Sequence, residues 1–219
     1  MNQNSRSGAG SKTIALEIRN LPEHDAVRFC DESHLKKIQI FASDIVELTD
    51  IVTEYGLPDY PIVFCKIPFM KACVYLEGDY SYNLMFIDSS KTKTEESLRE
   101  SYLHEAAHLL SDGQDHDFAF AIVYNTFRLK IGLEISNEDY DYRACGIEGL
   151  ELSETKELCK KCSEIILNSN MPSIQLLENM KFFLSNDHYM AFGDNNLDDI
   201  LESFICDVQF ISNEYLNRK

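Results

Sequence analysis

Two apolar rhythms run along the chain, one of period two and one of three to four. Thr13-Ile14-Ala15-Leu16-Glu17-Ile18 is β-branched and partly alternating, which predicts a strand ended by Pro22. Leu35, Ile38, Phe41, Ile45, Leu48, Val52 and Tyr55 then recur at intervals of three and four. That spacing predicts a helix over about residues 34–55, capped by Asp31 or Ser33 and stopped by Gly56 and Pro58. Pro61 to Ile67 is a short apolar run and reads as a buried strand. Ala72 to Leu76 and Tyr80 to Asp88 read as two strands joined at Glu77-Gly78-Asp79, a hairpin signal.

Further on the period is helical. Thr92-x-x-Glu95 is a capping box that opens a helix over 93–111, and Gly113 is placed to close it. Asp115 is placed to cap the next helix, about 116–131, whose inner stripe is Phe120, Val123, Phe127 and Ile131, with Gly132 after its end. Residues 134–152 are acidic and irregular, and helical patterns follow at about 153–168, 172–184 and 196–216. Strands and helices in this order predict an α+β fold. Residues 1–12 are small and polar and read as a flexible N-terminus. Residues 13–135 form the expected domain. Residues 136–219 form an acidic helical extension, which should pack on the core because three short helices bury little surface by themselves.

The helix over 93–111 carries the chemistry: His104-Glu105-Ala106-Ala107-His108, with His116 eight positions further on. Side chains four apart on a helix differ by about 40° around the axis, so the two imidazoles point the same way. With His116 they supply the three protein ligands of a catalytic zinc ion, Zn2+, which keeps its fourth position open. Glu105 lies roughly 100° around from His104 and so stands beside that open position. A water acidified by the ion can give its proton to this glutamate and attack a carbonyl. Leu98, Tyr102, Ala106 and Leu109 form one apolar stripe, and Leu103, Ala107 and Leu110 another. A helix apolar on two sides is buried, and buried histidines need partners. His116 falls one turn before Phe120 on the inner stripe of the next helix, so it points back toward the pair. Asp112, Asp115 and Asp117 surround it as candidates to orient an imidazole.

Cys159-Lys160-Lys161-Cys162 suggests a second metal site or a redox pair, but a closed site needs four ligands and no second such motif exists. Cys145 and Cys206 could complete it only by folding close. Leu158, Cys162, Ile165 and Ile166 already form an apolar stripe, so small core cysteines are the preferred reading. Tyr140 and Tyr142 are candidates to donate a hydrogen bond to an oxyanion at the metal, against the preferred reading that they are packed or exposed.

Charge narrows the partners. The 219 residues carry a net charge of −17, and no basic patch interrupts it. A phosphate backbone would be repelled, so nucleic-acid binding is disfavoured. The seven cysteines show no disulfide framework, the N-terminus lacks the apolar core of a signal peptide, and no run approaches a membrane span. A cytoplasmic protein is expected.

The order strand, helix, strands, active helix, ligand-bearing helix resembles the minimal zincin metallopeptidase domain. More narrowly, LHEAAHLLSDGQDHDFAFAIVY is similar to the SprT-like group, in which an H-E-x-x-H helix is followed by a His-x-x-x-Phe motif opening the next helix, here His116 to Phe120. The resemblance covers about residues 12–135. It implies that His104, His108 and His116 hold zinc, that Glu105 is the general base, and that the substrate is a protein or peptide. The chain departs from the pattern at Asp117, where glycine is usual, and at Ser111, which breaks the glycine-bearing metzincin spacing. It also lacks the basic or zinc-ribbon parts of crosslink-repair relatives, so the resemblance supports peptidase chemistry more than a DNA substrate. Two rivals stand beside this reading. In one, Glu134 or Glu138 is the third ligand, as in gluzincins. In the other, the fold is a non-catalytic binding or regulatory module that engages a partner through its acidic helical tail. The intact Glu105 favours an enzyme, since a pure scaffold needs no base there.

Overall fold

The computed structural model describes residues 19–20, 40–67, 70–75, 84–112, 115–147, 149–185, 189 and 196–218. Its strands are β1 (Arg19–Asn20), β2 (Ile40–Phe41), β3 (Pro61–Lys66), β4 (Ala72–Tyr75) and β5 (Leu84–Ile87). They make one mixed sheet in the order β1-β3-β5-β4, with β2 also against β3. β3 and β5 are parallel, in the register Ile62↔Met85, Val63↔Phe86 and Phe64↔Ile87, and β4 returns antiparallel to β5 with Cys73↔Phe86. Met85, Phe86 and Ile87 are all buried, so β5 is covered on both faces, which is why its sequence runs apolar without a break. The expected strand at 13–18 and the expected turn at 77–79, with Tyr80 and Tyr82, lie outside the described residues.

The single helix expected over 34–55 is not what forms where the chain is described. Ile40–Phe41 is a strand, two 3-10 turns follow at Ala42–Asp44 and Val46–Leu48, and only Thr49–Thr53 (α1) is α-helical. Local polar bonds compete with the helical ladder. Asp59 accepts from both the backbone N–H (3.0 Å) and the hydroxyl (2.7 Å) of Ser43, and Thr49 Oγ1 donates to Ile45 O at 2.9 Å. The three-and-four spacing misled because Phe41 is exposed, whereas Leu48 and Ile51 carry the core contact.

The larger helices are α2 (Glu95–Ser111), α3 (Phe118–Lys130), α4 (Leu152–Leu167), α5 (Ser173–Ser185) and α6 (Leu197–Asn217). The molecule is therefore α+β. Three helix boundaries differ from the sequence expectation. α2 is capped by Thr94, whose side chain accepts from Ser97 N, because Thr92 is buried and its hydroxyl donates to Asp88 O. α2 ends on Asp112, which takes the left-handed conformation at φ 62°; Gly113, expected in that role, lies outside the described residues. α3 is capped by Asp117, whose carboxylate accepts from Phe120 N at 2.8 Å, not by Asp115.

α3 is the centre of the molecule. Phe118 through Phe127 are all buried, apolar apart from Asn125 and Thr126, and the helix is enclosed by α2, α4 and α5. α2 lies between α3 and the sheet, where it meets β4 and β5. α4 is tied to α3 by Ser163 Oγ donating to Ile122 O at 3.1 Å, and α6 packs on α4 and α5. The side chains of sheet and helices form one continuous core. No described helix is long and apolar enough to cross a membrane.

Candidate metal centre

α2 presents His104 and His108 on one face, with ring centroids 5.0 Å apart. His116 lies two residues before α3, and its ring comes within 4.8 Å of His104 and 5.0 Å of His108. One ligand atom from each of the three lies within 4.8 Å of the others, close enough to hold a metal ion. Among the described residues this is the one such group of three or more potential ligands. Neither Glu134 nor Glu138 joins it, so the third position falls to His116. Cys145, Cys159 and Cys162 are buried and lie outside it, as does the exposed Cys206.

Two of the imidazoles, those of His116 and His104, are held by groups far away in sequence. His116 Nδ1 faces Tyr140 O at 2.8 Å. A carbonyl only accepts, so Nδ1 carries the proton and Nε2 keeps its lone pair for a metal. Asp141 Oδ1 stands 3.7 Å from both His104 Nδ1 and His116 Nδ1, and its other oxygen accepts from Ser136 Oγ. At 3.7 Å these are ionic contacts rather than hydrogen bonds, and they favour a proton on the Nδ1 of His104. Phe120 is the floor: its ring lies 4.4 Å from His116, 4.3 Å from His108 and 4.9 Å from His104.

Tyr140 and Asp141 belong to a 3-10 turn, Asp139–Tyr142, that is fastened to α3. Asn125 is the fastener. Its Nδ2 donates to Tyr142 Oη at 3.1 Å and its Oδ1 accepts from Ser136 N at 2.9 Å, while Tyr142 Oη donates to Ser136 O at 2.8 Å. His116 O accepts from Ala144 N at 3.0 Å and from Cys145 Sγ at 3.5 Å, which closes the same loop on His116 itself.

This geometry revises several expectations. The carboxylate beside the imidazoles is Asp141 rather than Asp112, Asp115 or Asp117. Asp112 pairs with Lys181 at 3.1 Å, Asp117 is spent as a cap, and Asp115 is exposed. Asp117 also accounts for the missing glycine, since its φ of −80° is open to any residue and the position works as an N-cap. Tyr142 is committed to the Asn125 network and is not among the residues that line the cleft. Tyr140 serves through its backbone oxygen, and its ring lines the cleft.

The electrostatics suit a cation. Burial, followed by the neighbouring His108, His116 and Arg143, pulls His104 down to about 3, so the imidazole stays neutral and able to ligate. Burial also lowers His116, against its bond to Tyr140 O. Burial pushes Glu105 up to about 8, and no described residue makes a hydrogen bond to its carboxyl group. Glu105, His104, His108 and His116 line a common cleft of about 650 Å³. β4 forms one wall through Ala72, Cys73 and Val74. The turn residues Glu138, Tyr140, Asp141 and Arg143 form another.

Compared with family models, curated proteins and solved structures, the chain matches none.

Proposed function

We propose that the chain is a zinc-dependent peptidase of the SprT-like kind, hydrolysing an amide bond of a protein or peptide. One observation carries the reading: Glu105, a carboxyl group 6% exposed and without a structural bond, stands in the same cleft as three converging imidazoles. Burying such a group without a partner is unfavourable, and a scaffold would gain nothing from it. Three imidazoles fit zinc by donor type and by leaving a fourth position open. When bound, zinc lowers the pKa of water to about 7 and polarises a carbonyl oxygen.

The chain's own residues do the rest. Glu105 takes the proton from the attacking water and hands it to the departing amine, and the nearby cation favours its ionised form. Tyr140 O and Asp141 hold His116 and His104 with the proton on Nδ1, which would leave Nε2 of each free to hold zinc. β4 stands last in the strand order and lines the cleft wall through Ala72, Cys73 and Val74. A wall of extended backbone suits an extended chain laid beside it, which supports a peptide rather than a small amide as substrate.

The test is metal analysis of the purified protein together with turnover of a quenched-fluorescent peptide library. One zinc per chain, lost in His116→Ala, and cleavage abolished by Glu105→Gln with zinc retained are the expected results. A zinc-loaded wild-type chain that cleaves neither the library nor unfolded casein would overturn the reading in favour of the non-catalytic module.

A further inference from the structure

The acidic turn that completes the metal centre is followed by a cation. The guanidinium of Arg143 lies over the Tyr140 ring, 4.2 Å from its centre. Tyr140 sits edge-on against His116 with centroids 4.4 Å apart, so one aromatic ring separates the guanidinium from a metal-ligating imidazole. Arg143 lines the same cleft as Glu105.

In a chain of net charge −17 an arginine among carboxylates is ordinarily neutralised by one of them. Here the turn's carboxylates are engaged elsewhere. Asp139 pairs with Lys156 at 2.8 Å, and Asp141 accepts from Ser136 and faces the two imidazoles. Glu138 shares the cleft but is not within ion-pair distance of Arg143. No described carboxylate is. Stacking on Tyr140 fixes the plane of the guanidinium while its N–H donors, which point outward at the edge, stay available. A planar fork of donors held at the mouth of a cleft matches a carboxylate in both shape and charge.

We propose that Arg143 is a specificity residue that binds a carboxylate of the substrate. The proposal deepens the peptidase reading and takes the substrate's chemistry from it. An extended peptide advances about 3.4 Å per residue, so the two ring contacts place the carboxylate roughly two or three residues from the bond to be cut. It comes either from an Asp or Glu side chain or from a free C-terminus, which present the same group. The overall negative charge opposes a polyacidic segment, so the preference is for a single carboxylate at one position.

The probe is a fluorescein-labelled octapeptide series in which Asp, Asn or Lys is stepped through each position, with a free or an amidated C-terminus. Binding to the zinc-loaded Glu105→Gln full chain is read by anisotropy, and cleavage by the wild type is read alongside. At one position Asp should bind about tenfold tighter than Asn, the scale of a charge-assisted contact at a partly exposed site. Alternatively, the free acid should exceed the amide by that factor, and this arm separates the two sources. In the Arg143→Ala background the preference should vanish, in Arg143→Lys part of it should remain, and Arg143→Glu should favour Lys peptides instead. The change should appear in KM more than in kcat. Lys71, the cation on the β4 wall of the cleft, is the control. The proposal is overturned if no peptide of the series binds, if Asp binds like Asn at every position and the free acid binds no better than the amide, or if the preference survives Arg143→Ala, with its loss in Lys71→Ala then moving the subsite to Lys71. Carboxylate-dependent binding without cleavage sinks the peptidase reading and leaves the Arg143 subsite standing, whereas cleavage blind to carboxylates does the reverse.

Discussion

The ring of Phe120 lies almost flat against the imidazole of His116, centroids 4.4 Å apart and planes 11° from parallel. The same ring touches His108 and His104, so one apolar side chain sets the height of all three imidazoles. The His-x-x-x-Phe spacing thereby has a physical reason: a residue two before the helix and one a turn inside it meet on the same face. Phe120→Ala should cost about 3–5 kcal/mol of stability, the usual range for a buried Phe→Ala cavity, and should weaken zinc as well. Phe120→Leu should restore most of the stability but less of the affinity, because it fills volume without a flat surface. Chelator competition and thermal melts measure both, and zinc held equally tightly by Phe120→Ala would remove the floor from the account.

Asp141 faces two imidazoles at once, each at 3.7 Å. Asp141→Asn keeps the shape and removes the charge that fixes the ring protons. Zinc affinity should fall by roughly 10–100-fold, the range seen when such outer partners are changed. The melt of the metal-free protein should move little. A variant that binds zinc like the wild type would show that Asp141 merely packs against Ser136.

The cluster of three histidines was legible in the sequence because its members are local: His104 and His108 share a helix face, and His116 stands just before the next helix. What steadies them was not. Asp141 lies far from His104 in sequence, in a stretch without periodicity, and no short-range rule brings it near. The three aspartates beside His116 were the natural candidates, and they lost to caps and surface pairing. The fold was legible where periodicity was strong, in α2 through α6 and in β3 to β5. It failed over residues 40–48, where Ser43, Asp59 and Thr49 bonds override a helical spacing.

Glu105 offers a proton count. In the metal-free protein burial holds it up to about 8, so near pH 7 the carboxyl is mostly protonated. A cation bound beside it should expel that proton. Zinc titration followed by calorimetry in two buffers of different ionisation enthalpy should register the release for the wild type, and it should be absent in Glu105→Gln. The variant should keep zinc and lose roughly 10²–10⁴-fold in hydrolysis, the usual contribution of a general base. Equal proton release by both proteins would refute the assignment.

The same shifts set a pH profile for the metal-free chain, with opposite signs. His104 is depressed from 6.5 to about 3, so the unfolded chain binds its proton first. Stability from this group is present above 6.5 and is lost as pH falls toward 3. Glu105 is raised from 4.5 to about 8, so its contribution is present below 4.5 and is lost as pH rises toward 8. Melting temperatures of the chelator-treated wild type should therefore decline on both sides of a mildly acidic optimum. Glu105→Gln should flatten the alkaline side alone. If the variant parallels the wild type above pH 5, the carboxyl is not buried as described.

The segment after residue 135 supplies parts of the site itself: Tyr140 O to His116 Nδ1, Asp141 to two imidazoles, and Ala144 N to His116 O. It also covers α3, whose residues Phe118 through Phe127 are buried on every side. A chain ending at Ile135 uncovers that helix and strips two imidazoles of their partners. It should aggregate or melt without cooperativity and should not hold one zinc per chain, since exposed apolar faces of this size drive association. Asn125→Ala in the full chain is the gentler form of the test. It leaves the Tyr142 hydroxyl and Ser136 N–H short of partners, at a cost of roughly 1–3 kcal/mol, and loosens the turn without removing it. Zinc affinity should drop in Asn125→Ala while far-ultraviolet circular dichroism keeps its helical signal. A soluble 1–135 fragment with a sharp melt and full zinc occupancy would mean that the core holds the metal unaided and that the helical remainder serves something else.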